Sequence, residues 1–255
     1  MPVFLLLFVF INGFHCKDYS NKLLGPSIIL TIDKPPDTWY QIKAFLKENN
    51  VKLTFYVERY QDLSEDTKKI MREMIADGHE IAHHTSTHPH SDEYVNKYGL
   101  NAYLKYEVDT MTYLMNKDGF YPTTYAYPFG DLTPELDNSL LKRFNSIRKI
   151  ISPYMNKHIA DMDQLYYRYG NISLFYGTSI DQRHNHSMAE ITEALEMAKE
   201  SRQAVSLYCH YLTIDRPYEE TNSHIYLKDF KALVSKAKSL GLRFYTASEV
   251  SRNKY

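Results

Sequence analysis

Predicted strands and helices alternate along almost the whole of this 255-residue chain. The strands are short runs of apolar and β-branched residues bounded by proline, glycine or polar residues. They cover residues 27–33, 51–57, 80–84, 123–128, 146–152, 172–180, 204–212 and 243–248. Such alternation predicts parallel strands joined by helical crossovers, and at this length a closed or nearly closed barrel. An open doubly wound sheet is the main alternative, but no glycine-rich dinucleotide loop follows the first strand.

The predicted helices are recognised by apolar residues at helical spacing. They cover residues 37–49, 64–77, 99–117, 134–144, 188–201 and 225–240. Asp37 and Ser64 are the expected N-caps of the first two helices, and Gly78 ends the second. Residues 154–169 carry no clear pattern, so we expect a loop or an excursion from the barrel there.

Charge and the N-terminal segment bear on location and partners. The net charge is −1, which argues against a nucleic-acid binder because such proteins carry a basic face. Residues 2–14 are almost wholly apolar and too short to span a bilayer comfortably, which favours an export signal over a misplaced start or a buried strand. Cys16 follows at once, as in a lipoprotein site. We therefore expect residues 1–21 to be a signal or lipoprotein leader, with Cys16 as the candidate site of a lipid anchor. Residues 22–255 are expected to be a monomeric periplasmic or cell-surface domain.

The segment 77–90, DGHEIAHHTSTHPH, holds five of the eleven histidines of the chain. His84 and His88 lie four residues apart in a polar loop that follows a predicted strand. Two imidazoles at this spacing can converge on one divalent metal ion. The spacing also arises by chance in a histidine-rich chain, and His79/His83 repeat it. The pattern alone therefore leaves both a metal site and ordinary surface histidines open.

In a parallel barrel the carboxyl ends of the strands meet on one face. Polar residues lie at or beyond several of these ends: Asp33, His84, His88, Tyr127, Asp181 and His210. A metal ion can polarise a carbonyl, a carboxylate can take a proton from water, and a separate histidine can protonate a leaving group. Together these residues indicate a hydrolase, although Asp33 as a strand-end cap and His210 as a core histidine stay open.

Four motifs, in order, resemble the polysaccharide deacetylases, the NodB homology domain of carbohydrate esterase family 4. GHEIAHHTSTHP at 78–89 is similar to the histidine signature of the family, and AYPFG at 126–130 to a version of its third motif. LTID at 30–33 resembles the start of the aspartate motif, and LYCH at 207–210 the late leucine-x-histidine motif. The resemblance covers roughly residues 25–250 and implies an irregular (β/α)7 TIM-like barrel, an α/β fold in a single domain.

The resemblance also implies roles for individual residues. Asp33 would be the general base and His210 the general acid, while the backbone N–H of Tyr127 would help to hold the oxyanion. His84 and His88 would bind the metal, normally Zn²⁺. The reaction would remove acetyl groups from an N-acetylated or O-acetylated polysaccharide or oligosaccharide. Three further residues are expected to contact substrate: Phe129, Arg148 and Asp181. A structural ion pair for Arg148 and a capping role for Asp181 are open alternatives.

Two positions depart from the family pattern. The second aspartate of the first motif, a metal ligand in the family, is Lys34 here, and its positive charge repels a divalent ion. Another oxygen could replace the ligand, Lys34 could point away, or no metal could bind tightly. The arginine of the third motif, which orients the base, is Ala126. The alternative to an active deacetylase is therefore a barrel that binds glycan without turnover because of Lys34.

Overall fold

Seven parallel strands close into a barrel in the structure, a computed structural model that describes residues 23–131, 133–151, 157–215 and 222–251. Within these ranges the strands are β1 (Ser27–Ile32), β2 (Thr54–Val57), β3 (Glu80–His83), β4 (Thr124–Ala126), β5 (Ser146–Ile150), β6 (Tyr166–Tyr167), β7 (Leu174–Ser179), β8 (Ala204–Cys209), β9 (Tyr211–Thr213), β10 (His224–Tyr226) and β11 (Arg243–Tyr245). The order around the barrel is β1-β2-β3-β4-β5-β7-β8, and β8 pairs with β1 along all six residues of each strand. The prediction of an irregular (β/α)7 barrel in a single domain is confirmed.

The other four strands of the described residues lie outside this seven-stranded barrel. β11 lies parallel to the first half of β1, and β6 runs antiparallel to the start of β8. β9 and β10 form a separate two-stranded parallel sheet. The barrel strands are largely buried because parallel strands are covered on both faces, and all six residues of β1 are buried.

The helices pack outside the barrel or cover its ends. In the described residues they are α1 (Asp37–Tyr40), α2 (Lys43–Glu48), α3 (Glu65–Ala76), α4 (Ser91–Tyr98), α5 (Leu100–Tyr103), a π-helical turn (Leu104–Asp109), α6 (Thr110–Lys117), α7 (Pro134–Leu140), α8 (Met188–Ser201), α9 (Leu227–Ser239) and α10 (Ala247–Val250). α3 begins as predicted, since the Ser64 side chain accepts a hydrogen bond from the Thr67 N–H, and it ends before Gly78 at φ +90°. None of these helices has the length and apolar character to cross a bilayer.

Several elements differ from the prediction. The helix expected at 37–49 is split into α1 and α2, and Asp37 is not a cap because its carboxylate accepts a hydrogen bond from the Thr67 hydroxyl. The helix expected at 99–117 contains the π-helical turn, and α4 was not predicted at all. The strand expected at 204–212 is interrupted at His210, whose N–H is drawn away from the sheet by the Asp181 carboxylate.

Some expectations concern residues outside the described ranges. The leader predicted at 1–21, with Cys16, falls entirely there. Residues 157–169 of the predicted excursion are described and contain two short 3₁₀ turns and β6.

Candidate active site

A cleft of about 750 Å³ opens where the carboxyl ends of the barrel strands meet. Most of the residues singled out in the sequence line it or lie directly behind its wall. The residues on the wall include Asp33, Lys34, His84, His88, Tyr127, Phe129 and His210. Arg148 and Asp181 do not line the cleft, and each instead contacts a residue that does. The strand-end argument therefore brought the right segments together.

His84 and His88 form an adjacent pair of imidazoles. Their Nε2 atoms are 3.2 Å apart, and His84 Nδ1 lies 2.9 Å from the Ala126 carbonyl oxygen. A carbonyl can only accept, so Nδ1 of His84 carries the proton and its Nε2 presents a lone pair. Burial lowers the pKa of both side chains, helped at His84 by the charges of His88 and Arg148 and opposed at His88 by Glu58. Both imidazoles are therefore neutral at pH 7, the form that binds metal ions.

The loop that carries this pair has a constrained backbone. Thr85 and His88 have φ values of +74° and +59°, which non-glycine residues adopt rarely. The Thr85 hydroxyl accepts a hydrogen bond from the His88 N–H at 3.0 Å. The buried carboxylate of Glu107, from the π-helical turn, accepts from both the N–H and the hydroxyl of Thr87 at 2.8 Å. These contacts fix the direction in which His88 points.

Glu58 follows β2 and completes a group of three candidate metal ligands with His84 and His88. One ligand atom from each residue lies within 4.8 Å of the other two. Glu58 Oε2 is 3.3 Å from His88 Nε2, and it is a buried oxygen with no hydrogen bond among the described residues. Burial opposes the charge of Glu58, but Lys34 and His88 outweigh it and lower the pKa of this carboxyl. Two neutral imidazoles and an orphaned carboxylate oxygen fit a divalent cation.

Lys34 lines the same cleft as the two histidines and is bonded to Glu58. Its ammonium group forms an ion pair with Glu58 Oε1 and lies 5.5 Å from the centre of the Tyr211 ring. Of the three alternatives raised by Lys34, the geometry favours another oxygen as the replacement ligand, since Glu58 Oε2 lies 3.3 Å from His88 Nε2. Asp37, the nearest spare acid in sequence, faces Thr67 instead.

Asp33 is held by Arg148. The Arg148 Nη2 donates to Asp33 Oδ2 at 2.5 Å, and the guanidinium is fully buried 4.6 Å from the centre of the Tyr208 ring. Arg148 on β5 is paired in register with Ala126 on β4, the position where the family carries its arginine. Asp33 therefore has a guanidinium partner, supplied by the next strand. The structural ion pair, rather than a substrate contact, is what the geometry shows for Arg148.

His210 is held by Asp181 at the break between β8 and β9. The backbone N–H of His210 donates to Asp181 Oδ1 at 3.1 Å, and its Nδ1 lies 2.6 Å from Oδ2. The His210 carbonyl accepts a hydrogen bond from the indole N–H of Trp39. Because both oxygens of Asp181 face His210, Asp181 positions this imidazole rather than lining the cleft, and the Nε2 of His210 is left for chemistry.

Tyr127 and Phe129 lie on a 3₁₀ turn at the end of β4. The Tyr127 N–H donates to the Arg148 carbonyl at 3.2 Å, within the barrel wall. That bond occupies the N–H to which the resemblance assigned an oxyanion, so this predicted role needs correction. Phe129 has φ +55° and is half exposed, with its ring stacked 3.8 Å from the ring centre of His90. Phe129 is thus a half-exposed aromatic side chain that lines the cleft.

Glu58 and Glu107 were missed in the sequence. Glu58 directly follows the second strand, as Asp33 follows the first, so the strand-end argument would have found it. Glu107 lies between Leu104 and Val108 on the apolar face of its helix. An acid at such a position is rarely buried without partners, and that signal was available.

Fold and site together define a class of protein. The class is a closed parallel barrel whose strand ends hold three candidate metal ligands, a guanidinium-bound carboxylate and a carboxylate-bound histidine. Residues 20–144, about half of the chain, match the family model described as polysaccharide deacetylase, so this part of the chain is similar to that family.

The relatives and solved structures similar to this chain agree with this assignment. A chitooligosaccharide deacetylase of Sinorhizobium fredii is 38% identical over 67 residues, 26% of this chain and 30% of the relative. A peptidoglycan-N-acetylglucosamine deacetylase of Bacillus cereus is 29% identical over 133 residues, 49% of this chain and 44% of the relative. The chain thus spans less than half the length of the curated relatives it matches. In fold it resembles a family 4 acetyl xylan esterase from Clostridium thermocellum in complex with a cobalt ion, with a TM-score of 0.53, 20% identity and coverage of 88% and 89%.

Proposed function

We propose that this protein hydrolyses acetyl groups from an acetylated polysaccharide or oligosaccharide. One observation carries the proposal. A carboxylate held by Arg148 and an imidazole held by Asp181 line the same cleft as two neutral histidines. An acid–base pair with fixed orientations beside a cation site is what hydrolysis of an amide or ester requires.

Asp33 and His210 would divide the proton transfers. Asp33 takes a proton from the attacking water, whose oxygen bonds to the acetyl carbon. The imidazolium form of His210 then gives its Nε2 proton to the leaving nitrogen or oxygen as the bond to carbon breaks. The Asp181 carboxylate favours this arrangement because it holds the proton on Nδ1 and stabilises the positive charge of the ring.

His84 and His88 would hold a divalent cation, with Zn²⁺ as our proposal. Their Nε2 atoms lie 3.2 Å apart, and both rings are neutral at pH 7. A bound cation supplies Lewis acidity toward an acetyl carbonyl oxygen. The cobalt ion in the similar acetyl xylan esterase structure supports a divalent metal without favouring zinc.

The substrate class follows from the relatives and the rim of the cleft. The two curated relatives are named for acetylated amino-sugar substrates, which favours N-deacetylation. Phe129 offers an aromatic face on which a sugar ring could stack. Such glycans lie in the cell envelope, and the apolar residues 2–14 fit export to it, with Cys16 as a proposed anchor. Fractionation of cells expressing the full chain and a Cys16→Ser variant would test this location.

Acetate release from N-acetylglucosamine oligomers and from acetylated peptidoglycan tests the activity. We expect turnover by the full chain, and losses of about 10²- to 10⁴-fold in kcat for Asp33→Asn and for His210→Ala. Asp37→Asn is the matched control, since its exposed carboxylate faces Thr67 outside the cleft. Glycan binding without acetate release would instead support the binding barrel, and full activity of Asp33→Asn would contradict the mechanism.

A further inference from the structure

We infer that Glu58 is the third ligand of the metal site, and that Lys34 is a built-in cation that competes with the metal for this carboxylate. The inference deepens the proposed function and rests on its two-histidine site. It assigns the ligand that the first motif of this chain lacks, and it gives Lys34 a role other than abolishing the site.

The register of the barrel places Glu58 beside the histidines. Val57 pairs with His83 in the parallel ladder between β2 and β3, and the His84 N–H donates to the Val57 carbonyl at 2.8 Å. Glu58 and His84 are therefore the next residues along two neighbouring strands. Both side chains therefore lie at the same level along the barrel axis, at the carboxyl ends of the strands, which face the cleft.

The two oxygens of Glu58 have different surroundings. Oε1 is paired with the Lys34 ammonium, whereas Oε2 faces His88 Nε2 at 3.3 Å without a hydrogen bond in the described part of the chain. A buried carboxylate oxygen that accepts no hydrogen bond is costly unless a cation satisfies it. Oε2 thus has the position, the charge and the free lone pairs of a ligand.

Lys34 accounts for the stability of this carboxylate when no metal is bound. It neutralises Glu58 in a cleft wall where an unpaired anion would be poorly solvated. The Lys34 side chain is one-fifth exposed, so it can turn toward solvent. A divalent ion bound to Oε2 would repel the nearby ammonium, so metal binding must be weakened by Lys34 and must displace or shift it.

Zinc dissociation constants, measured by chelator competition, test both parts. Glu58→Gln keeps the size of the side chain and removes its charge, and we expect it to weaken zinc binding by about 100-fold or more. Glu58→Asp should restore part of the affinity. Lys34→Met should tighten binding roughly tenfold, because the competing charge is gone. On the Glu58→Gln background the same Lys34 change should gain less, since the competition for the carboxylate is gone and only the direct repulsion between ammonium and ion remains.

Two controls keep this test separate from the proposed function. Glu48→Gln removes an exposed carboxylate and should bind zinc as the unaltered chain does. His84→Ala should abolish binding. If the unaltered chain binds zinc, His84→Ala does not, and Glu58→Gln binds it as tightly as the unaltered chain, this inference alone is overturned. If the unaltered chain binds no zinc, the proposed metal site is overturned as well. The visible spectrum of bound Co²⁺ should also differ between the unaltered chain and Glu58→Gln, because the ligand set changes.

Discussion

At the scale of single residues, Asp33 is bound by an arginine that lies one strand away from the position of the arginine in the motif that this chain resembles. Ala126 on β4 stands at that position, and Arg148, its register partner on β5, supplies the guanidinium that donates to Asp33. The ring of Tyr208 lies against the guanidinium, which arginine tolerates because its charge is planar and weakly hydrated. The same ion pair can thus be built from either of two paired positions.

Removal of Arg148 should destabilise the fold because it leaves Asp33 as an unpaired buried charge. We expect Arg148→Met to lower the free energy of unfolding by about 3–5 kcal/mol. The double variant Arg148→Met/Asp33→Asn should recover part of that loss, since the uncompensated carboxylate is gone. Urea unfolding followed by the fluorescence of Trp39, the single tryptophan, measures both. Equal stabilities of the single and double variants would show that the pair is not coupled.

At the scale of elements, the π-helical turn is a device that holds the histidine loop. A π-helical turn widens a helix locally and is found often at functional sites. Here it brings the Glu107 carboxylate onto Thr87 and the Glu107 carbonyl onto the N–H of Ser86. These contacts hold a loop in which Thr85 and His88 have positive φ. The strain in the loop is offset by hydrogen bonds from this one turn.

Loss of the Glu107 side chain should loosen the metal site without removing a ligand. We expect Glu107→Ala to weaken zinc binding by about 10- to 100-fold, as happens when groups that orient a ligand are removed. The matched control is Lys105→Ala, an exposed residue of the same turn. Zinc affinity by chelator competition, with circular dichroism to confirm folding, measures the effect. Unchanged affinity in a folded Glu107→Ala protein would show that the loop holds its shape unaided.

At the scale of the whole molecule, the barrel was predictable because each parallel strand is a short apolar run with a strong local signal. The candidate site residues Asp33, His84, His88 and His210 could also be predicted, since they lie at the end of such runs or just after them. Glu58 carries no motif, and its role depends on the register of β2 against β3. The pairing of Arg148 with Asp33 depends on two strands 115 residues apart in sequence. Contacts of this kind depend on how the barrel closes and produce no local pattern in the sequence.

The folded chain should also lose stability in mild acid, because the barrel buries histidines in their neutral form. Burial lowers the pKa of His79 and of His83 to about 4. His79 Nδ1 accepts from the Leu53 N–H, while His83 accepts from the Thr85 N–H and lies within bonding distance of the Val108 carbonyl. Protonation of Nδ1 would break the hydrogen bond that this atom accepts in His79, and likewise in His83. The unfolded chain, with histidine pKa values near 6.5, therefore binds more protons than the folded chain between pH 6.5 and 4.

It follows that the contribution of these two histidines to the free energy of unfolding is complete above pH 6.5 and is lost as the pH drops toward 4. Near the middle of this window each histidine contributes a slope of about 1.4 kcal/mol per pH unit. Urea unfolding at a series of pH values gives the slope of the free energy of unfolding against pH. Compared with the unaltered chain, this slope should be smaller by about that amount in His79→Gln, and by about twice that amount in the double variant His79→Gln/His83→Gln. Glutamine keeps a group that can accept the backbone N–H but does not titrate, so the variants isolate protonation from the loss of a contact. If all three proteins lose stability in parallel, other groups take up the protons and the neutral burial of these histidines does not govern the acid response.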